Sequence, residues 1–195
     1  MNLLIDPFEK EGELPAPRGA ADIVLMTHLP AKKVSSKNSF FIEGPGEYNV
    51  NGVYIEGIEV SHDTTQSKVD GPKKTTLYSI DAEDMRLCHL GVMGKEELTS
   101  QQLEQIGNVD ILMLPIGGVA TLGAKEAIKI MAQIEPKITI PMYYRLPGLK
   151  IKLEGLDVFL KALGVKAVEH APKLSIKKKD LSTEEAKIIV LKPHP

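Results

Sequence analysis

The apolar residues of this chain change period half-way along its length. Up to residue 90 they form short, strand-length runs divided by turn residues. From Thr99 onward, strand-like runs alternate with stretches at helical spacing. Residues 3–5 (LLI) stop at Asp6-Pro7, and residues 11–19 form a loop rich in Pro, Gly and charge. Four consecutive apolar residues at 23–26 (IVLM) predict a strand covered on both faces. Residues 40–42 (FFI) run into the turn Gly44-Pro45-Gly46, and Asn51-Gly52 between Val50 and Val53 is a hairpin turn. Residues 54–60 alternate as a half-buried strand should, and residues 76–80 and 85–90 pair around an acidic turn at 81–84.

In the second half a helix opens at Thr99, whose hydroxyl can cap the first turn, and closes near Gly107. Residues 110–114 and 138–140 are strands. Residues 124–134 carry Ala127, Ile128, Ile130, Met131 and Ile134 at helical spacing and stop at Pro136. A helix over 156–163 ends at Gly164, and residues 187–191 (KIIVL) form the final strand. Strands and hairpins first, then strand–helix alternation, predict a sheet-on-sheet core with helices packed outside.

The length of 195 residues suits one domain, and a 43% hydrophobic fraction can fill its core. With 24 Lys+Arg against 26 Asp+Glu, the charge balance gives no global attraction to nucleic acid or to an anionic membrane. Only the run at 173–179 (KLSIKKK) is strongly basic. It reads as a solvated strand edge protected by lysines, diluted at once by Asp180, Glu184 and Glu185, and nucleic acid is not the expected partner. No run reaches the roughly 20 apolar residues of a membrane span. The single cysteine, Cys88, excludes an internal disulfide, and the residues from Met1 onward lack a signal-peptide pattern, so a reducing cytoplasm is the expected compartment. Inside its apolar strand, Cys88 reads as an inert core thiol.

Several segments, in this order, resemble the metallo-β-lactamase superfamily, in the branch similar to bacterial ascorbate-phosphate lactonases. They are LLIDPF (3–8), ADIVLMTH (21–28), GPGEYNVNGVYIEGIEVSHD (44–63), MRLCHLGVMG (85–94), VDILMLPIGG (109–118) and EPKITIPMYY (135–144). The resemblance implies an α/β fold of the αββα type, with two mixed sheets face to face and helices outside. It implies one domain over residues 1–195, lacking the strand or two that members carry ahead of the LLIDP segment.

The resemblance also implies where metal ligands would stand. The leading motif, Thr-His-x-His-x-Asp-His, is here Thr27-His28-Leu29-Pro30-Ala31-Lys32-Lys33. His28 matches the first histidine, while Pro30, Lys32 and Lys33 replace the other three ligands. His62 matches the next ligand. Val92 replaces the bridging aspartate, and Tyr143 replaces the last histidine. Two surviving imidazoles do not close a tetrahedral site, and two ammonium groups would repel a dication, so no metal is expected.

The expected cleft therefore comprises His28, Lys32, Lys33, His62, Asp63, Val92 and Tyr143. His62 and Asp63 are the candidates for acid–base work, although Asp63 more simply orients His62 or caps the next loop. His28 and His62 read as cleft-wall residues held by hydrogen bonds, His89 as a packed strand-end residue, and Tyr143 as filling vacated volume. Two functions follow. One is a non-catalytic binding or assembly module for a small anionic ligand or a protein partner, a second copy of the chain included. The other is a residual hydrolase of an ester, lactone or phosphate-containing molecule, with zinc or manganese on His28, His62 and Asp63 or with no metal at all.

Overall fold

A computed structural model describes residues 1–7, 20–28, 39–62, 74–94, 96–119, 121–149, 151–181 and 185–193. Lys32, Lys33, Asp63 and the 11–19 loop lie outside the described residues. The chain opens with β1 (Leu3–Ile5), β2 (Ile23–Met26) and β3 (Phe40–Glu43), which pair in that order as a small parallel sheet. Then β4 (Gly46–Val50), β5 (Val53–Ser61), β6 (Lys74–Ala82) and β7 (Met85–His89) form antiparallel hairpins. After them come α1 (Ser100–Ile106), β8 (Ile111–Pro115), α2 (Ala124–Ile134), β9 (Ile138–Met142), α3 (Leu156–Leu163), β10 (Glu169–Ala171) and β11 (Lys187–Leu191). The large sheet is mixed, in the order β10-β11-β9-β8-β7-β6-β5-β4.

Strand alternation divides the core into layers. Val53, Ile55, Tyr78 and Ile80 face the small sheet and meet Ile23, Leu25 and Ile42 there. The opposite face presents Leu77, Cys88, Leu90, Leu112 and Leu114 to Ile106, Ala127, Ile130 and Phe159 of the helices. This is the αββα order without a described helix outside the small sheet. Gly57 shows why the first hairpin needs a glycine: a Cβ there would stand 2.7 Å from the carbonyl of Gly44, where the chain crosses from one sheet to the other.

Helix boundaries follow local chemistry. Thr99 and Gln102 make a reciprocal capping box at the start of α1. Gly164 closes α3 with φ near 78°, whereas α2 ends at Glu135 in the same left-handed region just before Pro136. Two elements escaped the sequence reading. The short edge strand β10 has no hydrophobic pattern of its own. The basic run is not a strand edge either: it is irregular up to a 3₁₀ turn at Lys178–Asp180, and Lys178 is engaged in an ion pair. Its apolar members Leu174 and Ile176 instead cover the patch formed by Ile111, Ile138, Ile140 and Ile189.

Candidate functional site

Because β5, β7, β8 and β9 are mutually parallel, their C-terminal ends emerge along one edge of the large sheet. Three bonds from β6 bring the end of β2 to the same edge. Tyr78 donates its buried hydroxyl to the carbonyl of Met26 (2.8 Å), while the Thr76 amide (2.8 Å) and the Thr75 hydroxyl (2.6 Å) donate to the carbonyl of Thr27. Burial raises the Tyr78 phenol well above its ordinary value, so it stays a donor. His28, His62, Val92 and Tyr143 thus follow strand ends on one rim.

The two histidines are joined through the turn after β7. Asp6, itself at positive φ, accepts from both the amide (2.8 Å) and the hydroxyl (2.6 Å) of Thr27. With its proton committed to Asp6, the Thr27 hydroxyl oxygen is left to accept from His28 Nδ1 at 3.1 Å. Gly91 lies against Thr27 so closely that a Cβ would meet Thr27 Cβ at 2.6 Å. One residue on, the carbonyl of Val92 accepts from His62 Nδ1 at 2.7 Å. A carbonyl can only accept, so neutral His62 carries its proton on Nδ1, as His28 does. Both imidazoles are left with an Nε2 lone pair uncommitted to these partners.

His89 has the opposite arrangement. Its Nδ1 accepts from the Gly91 amide at 3.1 Å, which places the proton on Nε2. Burial pushes the ring from 6.5 down to about 4, with the nearby Asp6 carboxylate opposing the shift. It is the packed strand-end residue the sequence suggested. Cys88 beside it is wholly buried, and burial pushes its thiol up to about 12, which leaves it inert. Tyr143 departs from its expected role: it is 37% exposed, at positive φ, and does not fill a closed volume.

Sequence reasoning assigned no role to Asp6 or Thr27, which organise the His28 side. The visible signal was an Asp-Pro at one strand end and a Thr-His at its neighbour. Only the parallel pairing of β1 with β2 shows that these ends meet.

A metal would find two imidazole nitrogens here, each with its other nitrogen bonded back to the protein, as ligands usually have it. Among the described residues, the remaining positions do not complete a site. Val92 has no donor, and among the described residues no three His, Cys, Asp or Glu side chains stand close enough to share an ion. The described donor set therefore does not fit a catalytic zinc, which takes three protein ligands.

A family profile described as the Beta-lactamase superfamily domain matches residues 1–143. The crystal structure of a proposed Zn-dependent hydrolase of the metallo-β-lactamase superfamily from Thermotoga maritima is 34% identical, with a TM-score of 0.79, over 97% of this chain and 88% of that one. A UPF0173 metal-dependent hydrolase from Thermococcus onnurineus is 28% identical over 177 residues, covering 73% of this chain and 76% of the relative. Another from Pyrococcus horikoshii is 31% identical over 106 residues, a match that spans 44% of that relative's length. Among the described residues, no helix is long and apolar enough to cross a membrane.

Proposed function

The chain belongs to the Beta-lactamase superfamily domain family, a family with metal-dependent hydrolases among its members, and from that premise we propose that this member is a non-catalytic binding or assembly module. The observation that carries the proposal is the pair Val92 and Tyr143. Val92 is 8% exposed and apolar where the resemblance implies a bridging carboxylate, and Tyr143 offers a phenol where it implies an imidazole. Lys32 and Lys33 support the same reading from the sequence, since ammonium groups favour an anion over a dication. The occupant is then a small anionic ligand, or a protein partner held along the same rim. The lone buried thiol supports a reducing compartment, the cytoplasm.

A second reading, a residual hydrolase of an ester, lactone or phosphate-containing substrate, is favoured by two specific observations. The relatives at 28–34% identity carry hydrolase descriptions. His28 and His62 both hold Nδ1 against the protein and leave Nε2 uncommitted to those partners, an arrangement that suits a metal ligand. In this reading Asp63 is the added ligand or base.

Elemental analysis after expression with zinc and manganese separates the two. The first reading expects near-zero metal per chain. A full equivalent of tightly bound ion, lost in both His28→Ala and His62→Ala, would overturn it in favour of the hydrolase.

A further inference from the structure

Two loops on the histidine-bearing rim hold apolar side chains out of the core in a backbone conformation that disfavours them. Val119, in the loop after β8, has φ 41° and is 42% exposed. Tyr143, directly after β9, has φ 53° and is 37% exposed. Positive φ is costly for a residue with a Cβ, and most of all for a β-branched one. The Thr121 amide bonds back to the carbonyl of Gly118 (2.7 Å), which makes Val119 the first central residue of a tight turn. At positive φ that place suits Gly, Asn or Asp. Neither Val119 nor Tyr143 recovers the cost by full burial. Strain imposed on exposed apolar groups points to a use for them.

The surrounding bonds fix where these residues stand. Ile116 donates its amide to the carbonyl of Met142 (3.1 Å), and the Tyr143 carbonyl takes the space a Cβ on Gly117 would need. The loops after β8 and β9 are thus locked side by side. The buried Thr121 hydroxyl donates to the carbonyl of Met93 (2.8 Å), and the preceding carbonyl, that of Val92, accepts from His62. His62 and the Val119 turn therefore hang from consecutive peptide groups. Val119 is brought to the His62 side of the rim, with Tyr143 on the neighbouring strand end.

The two side chains together expose on the order of 150 Å². A stable protein interface needs roughly 800 Å² from each partner, so the area suits one ring or a short chain instead. Resting on the small-anion reading above, we propose that the ligand is an anion with an apolar, ring-sized body. Its charged group lies at the imidazole side and its body lies against Val119 and Tyr143.

The test titrates the full chain with methylphosphonate and phenylphosphonate, which share a headgroup and differ in the body. NMR follows the His62 ring and the Val119 methyls. Both ligands are expected to shift the His62 ring saturably, and phenylphosphonate alone should shift the Val119 methyls. Phenylphosphonate should bind about tenfold tighter, the worth of roughly 55 Å² of apolar surface taken from water. Val119→Asn and Tyr143→Asn should each cut that preference to about threefold, half of the free-energy difference. Asn accepts a left-handed backbone, so Val119→Asn should not lower the urea unfolding midpoint. Equal binding of the two phosphonates at His62, or a preference undiminished in both variants, would overturn the inference and leave the small-anion reading standing. A lowered midpoint for Val119→Asn would assign Val119 to packing and overturn it too. If neither phosphonate shifts the His62 ring, the small-anion reading fails and the inference falls with it.

Discussion

Asp110, immediately before β8, offers the sharpest quantitative test of how this fold is held. Its carboxylate is 4% exposed, yet three donors reach it. Lys137 Nζ lies 2.7 Å from Oδ1, and Lys178 Nζ (2.7 Å) and the Arg86 amide (3.0 Å) meet Oδ2. They tie β7, β8 and the start of β9 to the irregular segment that roofs Ile111 and Ile138. Burial by itself would raise this carboxyl, but the Lys137, Lys178 and Arg86 bonds outweigh it and hold it at about 2 against an ordinary 3.8. At about 1.4 kcal/mol per pH unit, that difference corresponds to about 2 kcal/mol of stability. The lysine side chains are 35% and 48% exposed, so solvent screening reduces the figure toward about 1 kcal/mol.

A carboxylate with a depressed pKa contributes fully above its unfolded value. The contribution disappears as the pH falls from 3.8 through about 2. Asp110→Asn, which keeps the shape and removes the charge, should lower stability by about 1–2 kcal/mol at neutral pH. The gap to the parent should close in acid. Urea unfolding followed by far-UV circular dichroism, at neutral pH and at steps down through the acid range, measures both arms. An unchanged neutral-pH midpoint, or a gap as wide in acid as at neutrality, would refute the electrostatic account.

Gly91→Ala should cost about 2–4 kcal/mol, because it combines a left-handed backbone with a 2.6 Å approach to the tethered Thr27. Gly52→Ala, at φ 85° with open space around it, should lose only the backbone part, about 1–2 kcal/mol. Equal losses in urea unfolding would remove the steric argument. His89 is neutral in the fold, so the unfolded chain takes up a proton first and stability should fall as the pH drops from 6.5 to about 4. An imidazole NMR titration of His89 with a midpoint near 6.5 would contradict its burial against Gly91.

The sequence by itself determined the local elements, because they rest on short-range chemistry. The apolar run at 23–26, the Asn51-Gly52 turn, the Thr99 cap and the Gly164 stop each act within a few residues. Resemblance along the chain also reached the αββα layering and the rim to which His28, His62, Val92 and Tyr143 belong. The sequence could not assign the basic run, since Lys178 finds its partner in Asp110, a residue distant in the chain that gives no local signal. Nor could it show what orients the two histidines. His28 depends on Asp6 through Thr27, and His62 depends on a backbone carbonyl at Val92, where the side chain is irrelevant to the bond. Patterning fixes which face of an element is buried. Which donors and acceptors then meet, or fail to meet, is set by contacts between residues far apart in the chain, and only the tertiary structure decided those.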